Sequence, residues 1–350
     1  MTIKPILPNL IIKDEFIRGI GILACIKKKT PMTDREKKRK IIFDRYAENL
    51  QFLKREKLID IELKYEKTYI CPICLDQFPE TALDQAIENP LSLEDAPPKS
   101  LGGKANILTC KRCNNTCGYE IDKHLTERMQ ELDYHKFLPN IEFTAKFEIN
   151  GNTIQGKISI DENGTMTAYH MDKNNHPIKL QDYIKTAKKD TVINLQIDKK
   201  QVNPFNLQIA LLKTGYLLTF EKYGYSVILD ISYQRIRDQL RNPLEIIYPL
   251  DFWFKAPLPK EVHGVPFIIE KELEAICPIF PLKTSASERV FGTIIPLTTK
   301  PIEDVISRFK ERFKVQKRFP VKFDPMNGGV DYLTDLEAII KMKTWINNLK

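Results

Sequence analysis

The sequence predicts an α+β chain organised around a metal-stapled module, and three observations carry that prediction. Two CxxC knuckles, Cys71-Pro72-Ile73-Cys74 and Cys110-Lys111-Arg112-Cys113, stand 35 residues apart. Apolar residues recur at helical spacing on both sides of the knuckles. Beyond residue 140, alternating runs separated by Asn-Gly dipeptides read as strands joined by tight turns. The expected order is a basic helical N-terminal region over 1–68, a zinc-stapled module over 69–138, a β-rich region over 139–242 and a mixed α/β region over 243–350.

In chain order, Thr33-Asp34-Arg35-Glu36 has the spacing of a capping box, in which the Thr hydroxyl and the Glu carboxylate reciprocally satisfy the free N–H groups of a first turn. Ile42, Tyr46, Leu50 and Leu53 follow at helical spacing, so a helix is expected over about 34–57. Its other faces carry Arg35, Lys37, Lys38, Arg39, Lys40 and Arg45, either as a solvated face or as one that meets phosphates. The chain has a net charge of +8, and its first 60 residues hold 15 Lys and Arg against 8 Asp and Glu. Nearly all of the surplus therefore sits near the N-terminus, a balance that permits a nucleic-acid partner without requiring one. The apolar run Ile20–Ile26 is too short to span a bilayer, so no membrane partner is expected. Seven cysteines without an export pattern suggest a reducing, cytoplasmic setting, where paired cysteines hold metal more often than they form disulfides.

Past the second knuckle, Ile121, Leu125, Met129 and Leu132 form another helical stripe. Residues 141–235 read mostly as strands, with hairpin turns at Asn150-Gly151 and Asn163-Gly164. Pro243, Pro249, Pro257, Pro259 and Pro266 mark a boundary or an extended connector. A helix near 301–315, with Val305, Ile306 and Phe309 on one face, and a final helix from about Thr334 complete the chain.

Each CxxC knuckle can turn two thiolates toward one tetrahedral ion, so Cys71, Cys74, Cys110 and Cys113 together describe a closed four-cysteine zinc site. A closed site leaves no position for a substrate, which makes this zinc structural. Cys117 is surplus to four-coordination, and Cys25 and Cys277 have no partner pattern and are expected as small buried side chains.

Between the knuckles stands Leu93-Glu94-Asp95-Ala96-Pro97-Pro98-Lys99-Ser100-Leu101-Gly102-Gly103, and Asn114 directly follows the last cysteine. Over about residues 69–126 the chain resembles the HNH (ββα-metal) endonuclease family, in its branch with an added four-cysteine zinc site. The resemblance implies a ββα module that cleaves DNA phosphodiesters with Mg²⁺ or Mn²⁺, and a role in defence against phage or mobile DNA. It matches Glu94 to the acidic ligand of the catalytic ion and Asn114 to the distal ligand. Asp95 stands where the family has its general-base His, and an unperturbed carboxylate is a weaker base than an imidazole. Asn106 is the nearest candidate for the residue that orients the base, one place off register, and His124 could substitute as a base from the following helix. Lys99, Lys104, Lys111 and Arg112 lie inside the motif that would face the duplex, and together with the Lys37, Lys38, Arg39 and Lys40 run of the N-terminal helix they are the candidate nucleic-acid contacts. Two functions follow. One is a metal-dependent endonuclease acting on double-stranded DNA. The other is a catalytically impaired zinc module that binds nucleic acid, or assembles with a protein partner or a second copy of itself.

Overall fold

The computed structural model describes residues 32–255, 257–297, 301–315, 322–324 and 330–348. The run Ile20–Ile26 and Cys25 lie outside the described residues. Helix α1 (Asp34–Arg55) begins with the capping box the sequence predicts: the Thr33 hydroxyl accepts from the Glu36 N–H, and the Glu36 carboxylate accepts from the Thr33 N–H at 2.7 Å. Such a cap contributes about 1 kcal/mol to the first turn. Ile42, Tyr46, Leu50 and Leu53 form the buried stripe of the helix.

The first knuckle joins the short antiparallel strands β1 (Tyr69–Ile70) and β2 (Gln77–Phe78). Strands β3 (Leu91–Ala96) and β4 (Lys104–Cys110) form an antiparallel hairpin, which runs straight into helix α2 (Lys111–Cys117). The turn of the hairpin is built by the Pro-Pro-Lys-Ser-Leu-Gly-Gly segment. Gly102 adopts a left-handed φ of +86°, and a Cβ on Gly103 would lie 1.5 Å from the Pro97 carbonyl oxygen, so only glycine lets the two strand ends close. A π-helical segment (Gly118–Asp122) then leads into α3 (Lys123–Tyr134), where Ile121, Leu125 and Met129 are buried as their spacing predicts.

Strands β5 (Ile141–Ile149) and β6 (Asn152–Ile160) make the expected hairpin. Asn150 and Gly151 both have positive φ, +50° and +80°, the geometry of the two-residue turn that matches strand twist. With β7 (Met166–His170) and β8 (Asn194–Gln196) they form a four-stranded sheet in the order β7-β6-β5-β8, and helix α4 (Pro177–Thr186) packs Leu180 and Tyr183 against it. Its small apolar core, including Phe143, Ile154, Ile158 and Tyr183, is separate from the main one.

The structure then departs from the strand-rich expectation. Residues 204–241 are helical: α5 (Pro204–Tyr223), α6 (Tyr225–Ile228) and α7 (Gln234–Arg241). Helix α5 is buried nearly all round, with Ala210, Leu211, Leu212, Tyr216, Leu217 and Phe220 fully enclosed. A helix covered on every side has no polar face, so the periodicity that reveals a half-buried helix is missing from its sequence.

The Pro-rich stretch is extended and contains the short strand β9 (Trp253–Lys255). Strands β10 (Phe267–Ile268), β11 (Ala275–Ile276), β12 (Ile279–Lys283), β13 (Glu288–Thr293) and β14 (Ile295–Pro296) follow it. Helix α8 (Ile302–Val315), strand β15 (Phe323–Asp324) and helix α9 (Leu336–Asn348) complete the fold. These strands form two antiparallel sheets, ordered β12-β13-β9 and β14-β11-β10-β15. One apolar core joins α1, the knuckles, the β3–β4 hairpin, α5 and this C-terminal part.

Tyrosines knit the module to α5. The Tyr216 hydroxyl donates to the Pro72 carbonyl at 2.7 Å inside the first knuckle, and Tyr225 both accepts from the Ile70 N–H and donates to the Ile70 carbonyl at 2.8 Å. Tyr46 stacks on Phe220 with ring centroids 4.5 Å apart. Each such ring contributes roughly 1.5–3 kcal/mol by burial, provided its hydroxyl is partnered.

Candidate metal centre and nucleic-acid interface

The four predicted cysteines converge. Cys71 directly follows β1, Cys74 lies in the turn before β2, Cys110 ends β4 and Cys113 sits in the first turn of α2. Their sulfur atoms all lie within 4.8 Å of one another. A zinc ion with bonds of about 2.3 Å would hold its sulfurs about 3.8 Å apart, and the Cys74 and Cys110 sulfurs are 3.8 Å apart. The Cys110 N–H points to the Cys71 sulfur at 3.4 Å, the kind of backbone contact that steadies a thiolate. The group could therefore hold one metal ion such as zinc. Cys117 stands outside it, buried with its thiol toward the Leu240 carbonyl, and burial pushes that thiol up to about 12. Cys277 is buried as expected.

Glu94 lies on β3 beside an irregularity in the ladder. It pairs with Ile107, whereas Asp95 pairs with Ala105, which leaves Asn106 as the extra residue of a β-bulge. The Asn106 amide donates to Glu221 Oε1 at 2.7 Å, which ties the residue to α5.

Glu94 itself is buried, 3% exposed, and both of its oxygens are engaged. Oε1 lies 2.6 Å from Lys213 Nζ, and Oε2 accepts from the Thr109 hydroxyl at 3.0 Å. The Lys213 ammonium, with a side chain 2% exposed, also lies 2.6 Å from Asp122 Oδ2. Burial alone would lower the Lys213 pKa, but the Glu94 and Asp122 carboxylates outweigh burial and hold it well above the usual lysine range. Burial pushes the Asp122 carboxyl up to about 6 against the pull of Lys213, and its Oδ1 has no hydrogen-bond partner. Asn114 donates its amide to the Ser92 hydroxyl at 3.1 Å and to the Leu93 carbonyl at 3.0 Å, clamping α2 to β3. A catalytic Mg²⁺ or Mn²⁺ would need carboxylate oxygens that are open to it. At Glu94 those oxygens already carry an ammonium and a hydroxyl, so the residues as arranged do not fit a divalent ion there.

Asp95, next in the strand, is half-buried. Burial raises its pKa, Glu94 raises it further, and Lys99, Lys38 and Lys213 pull it back. Burial likewise raises Glu221, against the Asn106 hydrogen bond and the charges of Arg45, Lys104 and Lys38. Lys38 and Arg45 of α1 thus face the same region as Lys99 and Lys104 of the hairpin, and all four side chains are exposed. Arg45 also meets Asp331 at 3.3 Å.

The other predicted basic residues are placed differently. Lys40 is engaged by two carboxylates, 2.7 Å from Asp44 and 3.0 Å from Glu80. Lys37 lies 3.5 Å from Asp34, and the Arg39 Nε is buried without a partner. Lys111 is exposed at the start of α2, and Arg112 pairs with Asp76 at 2.8 Å beside the first knuckle. His124 accepts the Asn203 N–H at 3.2 Å on its Nδ1, which engages one ring nitrogen in a backbone contact.

Lys213, Asp122 and Glu221 are the polar residues of this region that sequence reasoning missed. A single lysine inside the apolar run Ile209–Leu218 is the signal that could have found the first, because a charge in such a run requires a buried partner. No family model, curated protein or solved structure matches the chain.

Proposed function

We propose that the protein binds double-stranded DNA through the face formed by α1 and the β3–β4 hairpin, as an HNH-like module stapled by one structural zinc that grips the duplex without cutting it. The observation that carries this reading is the grouping of Lys38, Arg45, Lys99 and Lys104 around Asp95 and Glu221. Two elements distant in sequence bring cations to one face, as a phosphate backbone requires. The engagement of both Glu94 oxygens favours binding over hydrolysis.

The test is the salt dependence of binding to a duplex of mixed sequence. Replacing Lys38, Lys99 and Lys104 by Ala should weaken binding about equally across sequences and flatten the logarithmic salt slope by roughly one for each lost phosphate contact. Binding indifferent to salt and to all three changes would point to a protein partner instead. A second reading, metal-dependent cleavage, is favoured by one observation: Asp95 is half-buried beside the bulge with its pKa raised toward that of a useful base. Under that reading the parent cuts DNA with Mg²⁺ or Mn²⁺, and Asp95→Ala does not. A parent that never cuts while Asp95→His does would identify a module that lacks only its base.

A further inference from the structure

The interior of the hairpin module holds a charge that no motif in the sequence announces. Lys213 projects from the middle of the buried helix α5 and places its ammonium 2.6 Å from both Glu94 and Asp122. The two carboxylates come from different parts of the module, β3 and the π-helical segment after α2. Glu94 is the residue that the HNH resemblance assigns to a divalent ion.

We propose that the Lys213 ammonium is the resident cation of this centre: a positive charge supplied by the chain occupies the place of the divalent ion, and Glu94 binds no Mg²⁺ or Mn²⁺ in the native protein. The inference rests on the HNH-like reading of the hairpin and deepens it. A lysine ammonium has three donors and no acceptors. Two of its donors meet carboxylates here, and the fourth carboxylate oxygen in the group, Asp122 Oδ1, is buried and unpartnered. A divalent ion on Glu94 Oε1 would have to bind at about 2.1 Å to an oxygen that already lies 2.6 Å from a buried cation. Two buried cations on one oxygen repel each other with little water to screen them. Thr109 blocks retreat to the other oxygen by donating to it. The arrangement also explains why the carboxylates can be enclosed at all: an unpaired buried charge is strongly unfavourable, and α5 brings the compensating one as it packs.

The experiment is Mn²⁺ binding to the full-length, zinc-loaded protein, read by loss of the free-ion electron paramagnetic resonance signal. The inference expects the parent to take up no Mn²⁺ that Glu94→Gln removes. Stoichiometric Mn²⁺ uptake by the parent that Glu94→Gln abolishes would overturn it. Lys213→Ser supplies the second arm. With its zinc retained and its circular dichroism unchanged, this variant should bind one Mn²⁺ at least about tenfold more tightly than the parent, through Glu94 and Asp122. A folded Lys213→Ser that gains no affinity would also overturn the proposal. If the variant does not fold, the comparison of parent with Glu94→Gln decides. None of these readouts involves DNA, so failure of the lysine assignment and failure of the DNA-binding reading are separately visible.

Discussion

Asp122 is the titratable residue on which the buried charge group turns. Its carboxyl is pushed up to about 6 by burial, whereas in the unfolded chain it titrates near 3.9. At pH 5 the folded protein therefore holds a proton that the unfolded chain has released, and by linkage this favours folding. The contribution is complete below about pH 4 and is lost as pH rises through about 6. Lys213, whose pKa stays high, keeps its charge throughout that window. Urea unfolding of the parent and of Asp122→Asn should show the parent's advantage shrinking between pH 5 and pH 7, with the variant lacking this slope. Equal pH slopes for the two proteins would mean that Asp122 titrates normally. The comparison belongs above pH 5, because the cysteine thiolates of a metal site take up protons in more acidic solution.

At the scale of elements, the parts legible in the sequence are those fixed by local chemistry. The Thr33 capping box, the Asn150-Gly151 turn and the two knuckles each depend on residues a few positions apart, and each forms as expected. Helix α5 was not legible as a helix because its burial comes from every direction. Its end signals were nonetheless present: Asn203 accepts from the Phe205 and Asn206 N–H groups, Pro204 occupies the first turn and Gly224 ends the helix. With α5 unread, the partner of Glu94 was unread too, since Lys213 and Glu94 are 119 residues apart in the chain. The hairpin turn offers a direct test at this scale. Gly103→Ala sets a Cβ against a backbone oxygen that no side-chain rotation can move, and it should cost at least about 3 kcal/mol in urea unfolding. Gly118→Ala serves as the control. Gly118 is helical and a Cβ there meets nothing within 4 Å, so that change should be neutral or stabilising by up to about 1 kcal/mol. Comparable losses for both would mean that the close approach to Pro97 is not what selects the glycine.

At the scale of the whole molecule, the knuckles do not form a self-contained appendage. Cys71, Cys110 and Cys113 belong to the same apolar core as α1, α5 and the C-terminal sheets. Structural zinc in small Cys-rich sites binds with an apparent free energy of roughly 10–16 kcal/mol, as large as the roughly 5–15 kcal/mol net stability of a typical domain. With zinc held by the four cysteines, loss of the ion should therefore loosen the shared core and not only the module. Chelation, or Cys71→Ser, is expected to lower the thermal transition of the main body as a whole, with tyrosine fluorescence and far-ultraviolet circular dichroism changing together. A main transition unmoved in protein shown by elemental analysis to be zinc-free would mean that the packing around Tyr69, Tyr216 and Tyr225 holds the knuckles without metal.

The small sheet formed by β5 to β8 has its own core. The chain departs from the end of α3 and returns at Asn203, whose N–H is already bonded to His124 on that same helix. Topologically, the sheet is an excursion between two helices, α3 and α5, that pack against each other. Because its core is separate, such a segment is expected to tolerate changes in length with little effect on the cysteines, Lys213 or the basic face. The history of this part of the chain can therefore differ from that of the rest. Relatives that share the four-cysteine hairpin and α5 are expected to carry other structures, or a short turn, in its place.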